Sequence, residues 1–152
     1  MDLQHALDEL AIRDTAARFT DAVNRSDAPA LGELFTQDGE WLVPGMPTTV
    51  GPAAAAERIF GLRSAFANLI QLMHSGHVDI DGDRATARWY LSETAGAADG
   101  TSFAFTGVYD DELVRTGDHW CFSRREFTFL YRGKAELNGK WYPHPATATA
   151  PS

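Results

Sequence analysis

The chain has a single cysteine, Cys121, among its 152 residues. An intrachain disulfide is therefore excluded, and a reducing, cytoplasmic setting fits. Cationic side chains are also few: 13 Lys and Arg stand against 21 Asp and Glu, giving a net charge of −8 and a pI near 4.9. That balance argues against nucleic acid or an anionic membrane surface as partner, because both select a basic face. No apolar run approaches the ~18 residues of a membrane-spanning helix. The opening Met1-Asp2-Leu3-Gln4-His5 lacks the basic-then-apolar pattern of a signal peptide. A glycine-rich phosphate loop, a dinucleotide fingerprint, a Gly-x-Ser-x-Gly elbow and zinc-type Cys/His spacing are all missing, as is any internal repeat. Neither a cofactor nor a metal is expected.

What is present suits one globular domain with a core: 44% hydrophobic and 11% aromatic residues. The spacing predicts a long helix over about 3–24, with Leu3, Leu7, Leu10, Ala11, Ile12, Phe19 and Val23 as its apolar side. Asp27 is a fitting N-cap for a second helix through Leu31, Leu34 and Phe35, with Pro29 tolerated in its first turn. Glu40-Trp41-Leu42-Val43 reads as a short strand. Gly51-Pro52 opens a third helix, to about Leu62 or Arg63. Four strands follow, near 68–80, 84–95, 102–115 and 119–131, with turns at Asp81-Gly82, Asp99-Gly100 and Gly117-Asp118. Helices first and a meander after predict an α+β fold: three helices packed in a curved, mostly antiparallel sheet, forming a cone-shaped barrel with a pocket at its mouth. The domain is read as residues 1–133, followed by a C-terminal flap and frayed tail over 134–152.

The candidate chemistry lies on the first long hairpin. Glu93 shares strand parity with Trp89 and Leu91, opposite to Arg88, Tyr90 and Ser92. Pairing the two strands can bring His74 and Glu93 to one face, and a carboxylate that orients an imidazole makes a general base near neutral pH. Taken singly, His74 equally suits a structural histidine, and Glu93 a solvated strand-end carboxylate. His74 and His77 lie an odd number apart, so a shared metal needs a bulge. Cys121, between Trp120 and Phe122, reads as buried and inert. Phe19, Trp41, Trp89, Leu91, Phe105, Phe127 and Phe129 are candidate pocket walls, although aromatic residues at alternating positions usually pack as core.

Several segments, taken in order, resemble the nuclear transport factor 2-like superfamily, and within it the SnoaL-like group. They are Ile12-Arg13-Asp14 with Phe19 and Asn24; Leu34 to Trp41; Gly51-Pro52; Met73 to His77; Ile80 to Leu91; Gly107 to Asp111; and His119 to Arg125. The group includes scytalone dehydratase-like, bile-acid dehydratase-like and dehydrochlorinase-like enzymes. The resemblance spans roughly residues 5–131. It implies a cystatin-like fold, a homodimer through the outer sheet face, and a deep apolar pocket for a ring-shaped molecule. It also implies a histidine base at His74 with a carboxylate at Glu93 close by. Asn24 matches the position of an aspartate that pairs with this histidine in dehydrochlorinase-like relatives. Phe19 stands where many dehydratase-like members have a tyrosine, so that phenol is lost. A pocket arginine of some relatives has Arg125 and Arg132 as candidates here.

The expected function is then a cofactor-free lyase, dehydratase-like, or isomerase. It would act on a small cyclic, polyketide- or steroid-like substrate, with His74, Glu93 and Asn24 as catalytic residues. The alternative is a small-molecule-binding protein that keeps the pocket without the reaction. A small subunit of a ring-hydroxylating oxygenase shares the fold and ranks below both.

Overall fold

Helix α1 (Leu3–Asn24) begins at Asp2, whose carboxylate accepts the His5 N–H at 2.7 Å. The computed structural model describes residues 2–147. The buried side of α1 is Asp8, Ile12, Thr15, Ala16, Phe19, Ala22 and Val23. Leu3, Leu7 and Leu10, expected on that side, are instead exposed. The core-facing stripe is shifted because Asp8 reaches into the protein. It takes two hydrogen bonds from Arg115 at 2.7 and 2.8 Å and one from Trp120 Nε1 at 3.3 Å. Those contacts, led by Arg115, hold the Asp8 carboxyl down to about 2. Arg115 also binds Asp83, so one guanidinium ties α1 to two hairpins.

Asp27 caps α2 (Ala28–Gly32) through the Ala30 N–H. This helix is shorter than expected. It ends at Gly32, where a Cβ would stand 3.3 Å from the Pro52 carbonyl at the start of α3. From Phe35 the chain forms β1 (Phe35–Leu42), earlier than the sequence suggested, because pairing with Phe122 outweighs continued helix. β2 (Thr49–Val50), which sequence reasoning missed, pairs with β1 ahead of α3 (Pro52–Arg63).

The four long strands are β3 (Asn68–Asp81), β4 (Arg84–Gly96), β5 (Ser102–Thr116) and β6 (His119–Lys134). Gly82, Gly100 and Gly117 turn the connections at positive φ. The sheet runs β2-β1-β6-β5-β4-β3, antiparallel except where β1 pairs parallel with β6. The architecture is thus α+β, helices followed by a six-stranded, curved, open mixed sheet. Helix α1 lies across β3 and β6, and α3 against β1 and β2.

One irregularity decides which residues face the helices. The β3–β4 hairpin pairs Gly76 with Trp89, but beyond it Met73 pairs with Leu91. His74 and Ser75 together oppose one residue, which is a β-bulge. Trp89 lies directly over Gly76, where any Cβ would fall 1.9 Å from the ring. Cys121, expected to be buried, is half-exposed, as its strand neighbours Trp120 and Phe122 take the core side. No helix among the described residues is long and apolar enough to cross a membrane. Of the expected C-terminal segment, 135–147 has no regular structure and 148–152 lies outside the described residues. Trp141 packs on Gly96, with Nε1 2.8 Å from where a Cβ would stand.

Candidate active site

Between α1, α3 and the concave side of the sheet lies a cavity of about 390 Å³. Its walls are mostly apolar: Phe19 and Val23 from α1, Trp41 from β1, Ile59 and Leu62 from α3, Phe105 from β5, Phe127 and Phe129 from β6. The rings pack edge-on, as between Phe127 and Phe129 at 4.8 Å and between Tyr109 and Phe127 at 5.2 Å. The polar lining is brief: Arg63, Gln71, Glu93, Tyr109 and Arg132.

Glu93 is the central group. Its neighbours on this face of β4, Leu91 and Ala95, are buried. Burial pushes its carboxyl up to about 7, opposed only by a hydrogen bond from Gln71. Gln71 faces Glu93 directly across the β3–β4 ladder. Its amide orientation is set from α1, where Thr20 Oγ1 donates to Gln71 Oε1 at 3.1 Å. Asn24 fixes the backbone of the same residue: its Nδ2 donates to the Gln71 carbonyl and its Oδ1 accepts the Gln71 N–H, both at 2.8 Å. Asn24 therefore clamps β3 to the end of α1 and is not part of the cavity lining.

Tyr109 adds a phenol. Its hydroxyl accepts from Trp41 Nε1 at 3.3 Å, which leaves its own proton free to donate. Desolvation raises its ionisation far above the ordinary range, and the nearby Glu93 adds to that rise. The group thus remains a neutral donor. Beneath it lies Arg125, 1% exposed, with its guanidinium 3.8 Å from the Tyr109 ring and 4.2 Å from that of Phe19. Its Nε stands 3.0 Å from Asp111 Oδ1, and Asp111 also accepts from Trp89 Nε1 at 2.7 Å. Burial pushes Asp111 up to about 6 against the pull of Arg125. Of the two arginines considered for the pocket, Arg132 lines it and Arg125 lies sealed below its floor.

His74 is not in the cavity, and the expected His74–Glu93 pair does not form. The imidazole projects from the outer sheet face, with Nε2 2.6 Å from Ser92 Oγ. The reason is the bulge. A regular register from the Asp81–Arg84 turn would set Leu72 opposite Glu93 and put His74 on the Glu93 face. The extra residue at 74–75 moves Gln71 into that place and turns His74 outward. His77, on the turn side of the bulge and paired with Arg88, is exposed beside Asp79 at 3.2 Å. Among the described residues no cluster of three or more potential metal ligands is gathered. Trp89 and Leu91, proposed as walls, lie in the core outside the cavity.

Sequence reasoning did not single out Gln71, Tyr109 or Arg63. Strand parity was the available signal for Tyr109, four residues beyond Phe105 on β5. For Gln71 the signal lay in the ladder register, which the bulge conceals.

In comparison with known proteins, residues 4–126 match the model of the SnoaL-like domain. No curated protein matches. Among solved structures, a hexachlorocyclohexane dehydrochlorinase from Novosphingobium barchaimii superposes with a TM-score of 0.84 at 20% identity, covering 95% of this chain and 100% of the other. A scytalone dehydratase-like protein from Novosphingobium aromaticivorans gives 0.78 at 17% identity, over 88% and 91%. A nuclear transport factor 2-like protein with a cystatin-like fold from the same organism gives 0.67 at 29% identity, over 84% and 85%. The chain belongs to the SnoaL-like domain family of the nuclear transport factor 2-like superfamily.

Proposed function

We propose that the protein is a lyase or isomerase of small cyclic substrates, working by proton transfer at Glu93. The observation that carries this reading is a carboxyl on a mostly apolar cavity wall, brought to about 7 by burial. A general base is most effective when its pKa lies near the working pH. Enzymes with the same fold include the dehydrochlorinase noted above, which supports lyase chemistry in the family and leaves the substrate open.

In this reading the Glu93 carboxylate takes a proton from the carbon next to a ring carbonyl. The electron pair moves to the carbonyl oxygen, and Tyr109 O–H donates a hydrogen bond to the developing oxyanion. Protonated Glu93 then returns the proton. Given to a departing hydroxyl, it yields water and a new double bond; given to a different ring carbon, it yields an isomer. Gln71 holds the carboxylate in place, and Asn24 is a positioning residue acting through Gln71. The outer sheet face, where Ile70, Leu72 and Tyr90 are exposed, is the surface proposed for a second copy of the chain.

The test is turnover of cyclic β-hydroxy ketones and β,γ-unsaturated ketones by wild type, Glu93→Gln, Tyr109→Phe and His74→Ala. Expected are loss of activity in the first, a drop of about 10²-fold in kcat in the second, and full activity in the third. The wild-type rate should rise through pH 7. An active Glu93→Gln variant, or an inactive but folded His74→Ala variant, overturns the assignment. A binding role is the second reading, favoured by the loss of a phenol at Phe19. Ligand uptake without turnover, unchanged in Glu93→Gln, would establish it.

A further inference from the structure

Two polar groups of the cavity play no part in the proton transfer. Arg63, the last residue of α3, is half-buried, and its Nε donates to the Val23 carbonyl at 3.1 Å. The side chain is part of the cavity lining. Arg132 is exposed on β6, opposite Phe105 in the ladder, with its guanidinium 5.0 Å from the Phe129 ring. A second irregularity brings it there: Gly107 pairs with Phe129 but Thr106 with Tyr131, so Leu130 is bulged out and Arg132 shares the face of Phe129.

Among the described residues, seven of the eleven arginines stand beside a carboxylate; Arg58, Arg63, Arg84 and Arg132 do not, and of these four Arg63 and Arg132 line the cavity. That is unexpected in a chain of net charge −8. Partial burial of a cation without a counter-ion costs free energy, and desolvation pulls Arg63 below its ordinary pKa. An anion delivered by a ligand recovers that cost through charge-assisted hydrogen bonds to the fork. The elements at this end argue for a carboxylate over a phosphate. Phosphate sites favour helix N-termini, where free N–H groups converge. Here α1 and α3 border the cavity with their C-terminal turns, at Val23 and Arg63, whose partial negative charge opposes a doubly charged phosphate more than a singly charged carboxylate.

We propose that the substrate is an apolar ring compound bearing a carboxylate, with the ring in the aromatic bore and the carboxylate held at the mouth by Arg63 and Arg132. The proposal rests on the reading of the cavity as the substrate site and names the class of molecule it takes. The carboxylate then sets the depth of the ring, so that a single carbon faces Glu93.

The test is equilibrium binding, followed calorimetrically, of 2-naphthoate, the neutral 2-naphthamide and 2-naphthyl phosphate. Each is titrated into wild type, Arg63→Gln, Arg132→Gln and Glu93→Gln. The naphthoate should bind at least about tenfold tighter than the amide, a gap of roughly 1.4 kcal/mol. Either arginine substitution should erase most of that gap while leaving amide affinity unchanged, and raised salt should narrow it. Arg132 is exposed, so its variant keeps the result interpretable if Arg63→Gln is poorly folded. Equal affinities for acid and amide, parallel loss of both in Arg132→Gln, tighter binding of the phosphate, or no naphthoate binding at millimolar concentration would each overturn the proposal. Glu93→Gln separates the two ideas: it should abolish turnover and keep the acid-over-amide preference. A neutral substrate turned over without that preference defeats this inference alone.

Discussion

At Glu93 the cost of desolvating a carboxylate should be readable in the stability of the whole protein. Its pKa is about 7 in the fold against a reference of 4.5. Between those values the native state holds a proton that the unfolded chain has released, so stability falls as pH rises through that window and levels off above it. Glu93→Gln removes the charge and hence the penalty. We expect it to raise Tm by a few degrees at pH 8 and to leave it unchanged at pH 4, as measured by thermal circular dichroism. An equal effect at both pH values would mean that packing, not ionisation, accounts for the change. Glu93 was visible in the sequence as a carboxylate sharing parity with Trp89 and Leu91. His74 was equally visible and was misplaced, because residue type and parity carry no information on where a ladder gains a residue. Arg125 shows the same limit from the other side. The resemblance offered it as a pocket arginine, yet it is sealed among Phe19, Tyr109 and Phe122, with Asp111 opposite it in the ladder.

Among the elements, the junction of α1 with β3 governs the site. Both hydrogen bonds of the Asn24 amide go to the backbone of Gln71, and Gln71 in turn touches Glu93. Asn24→Ala should cost about 1–3 kcal/mol by urea denaturation, since it leaves two partly buried backbone groups unpaired. Asn24→Asp keeps an acceptor for the Gln71 N–H but sets a carboxylate against the Gln71 carbonyl, so it should not restore the loss. A stability loss below 0.5 kcal/mol for Asn24→Ala, within the range of an ordinary surface substitution, would remove the clamp from the argument. The long strands and their glycine turns were legible because alternation and turn chemistry are local. The end of α2 and the start of β1 were not, since Phe35 is drawn into the sheet by Phe122, a partner far along the chain. The exposed Leu3, Leu7 and Leu10 misled for a related reason: Asp8 is buried through Arg115, and no helical periodicity encodes that partner.

For the molecule as a whole, fold class followed from element order alone, while assembly did not. Ile70, Leu72 and Tyr90 leave apolar area open on the outer face, 43%, 52% and 44% exposed. If a second copy covers it, sedimentation velocity should show a dimer, and Leu72→Glu should shift it to monomer without loss of helix signal. A wild-type monomer, or a dimer untouched by Leu72→Glu and Tyr90→Lys alike, would move the interface elsewhere. A different constraint follows from the glycines that lie under rings. At Gly76 a Cβ would fall 1.9 Å from Trp89, and at Gly96 it would fall 2.8 Å from Trp141. In evolutionary terms each glycine and its ring form one unit of inheritance, however far apart they are along the chain. At Gly76 the order of change is fixed as well: Trp89 is locked in the core, so the ring must shrink before the glycine can gain a side chain, and a lineage that takes the steps in reverse passes through a destabilised ancestor.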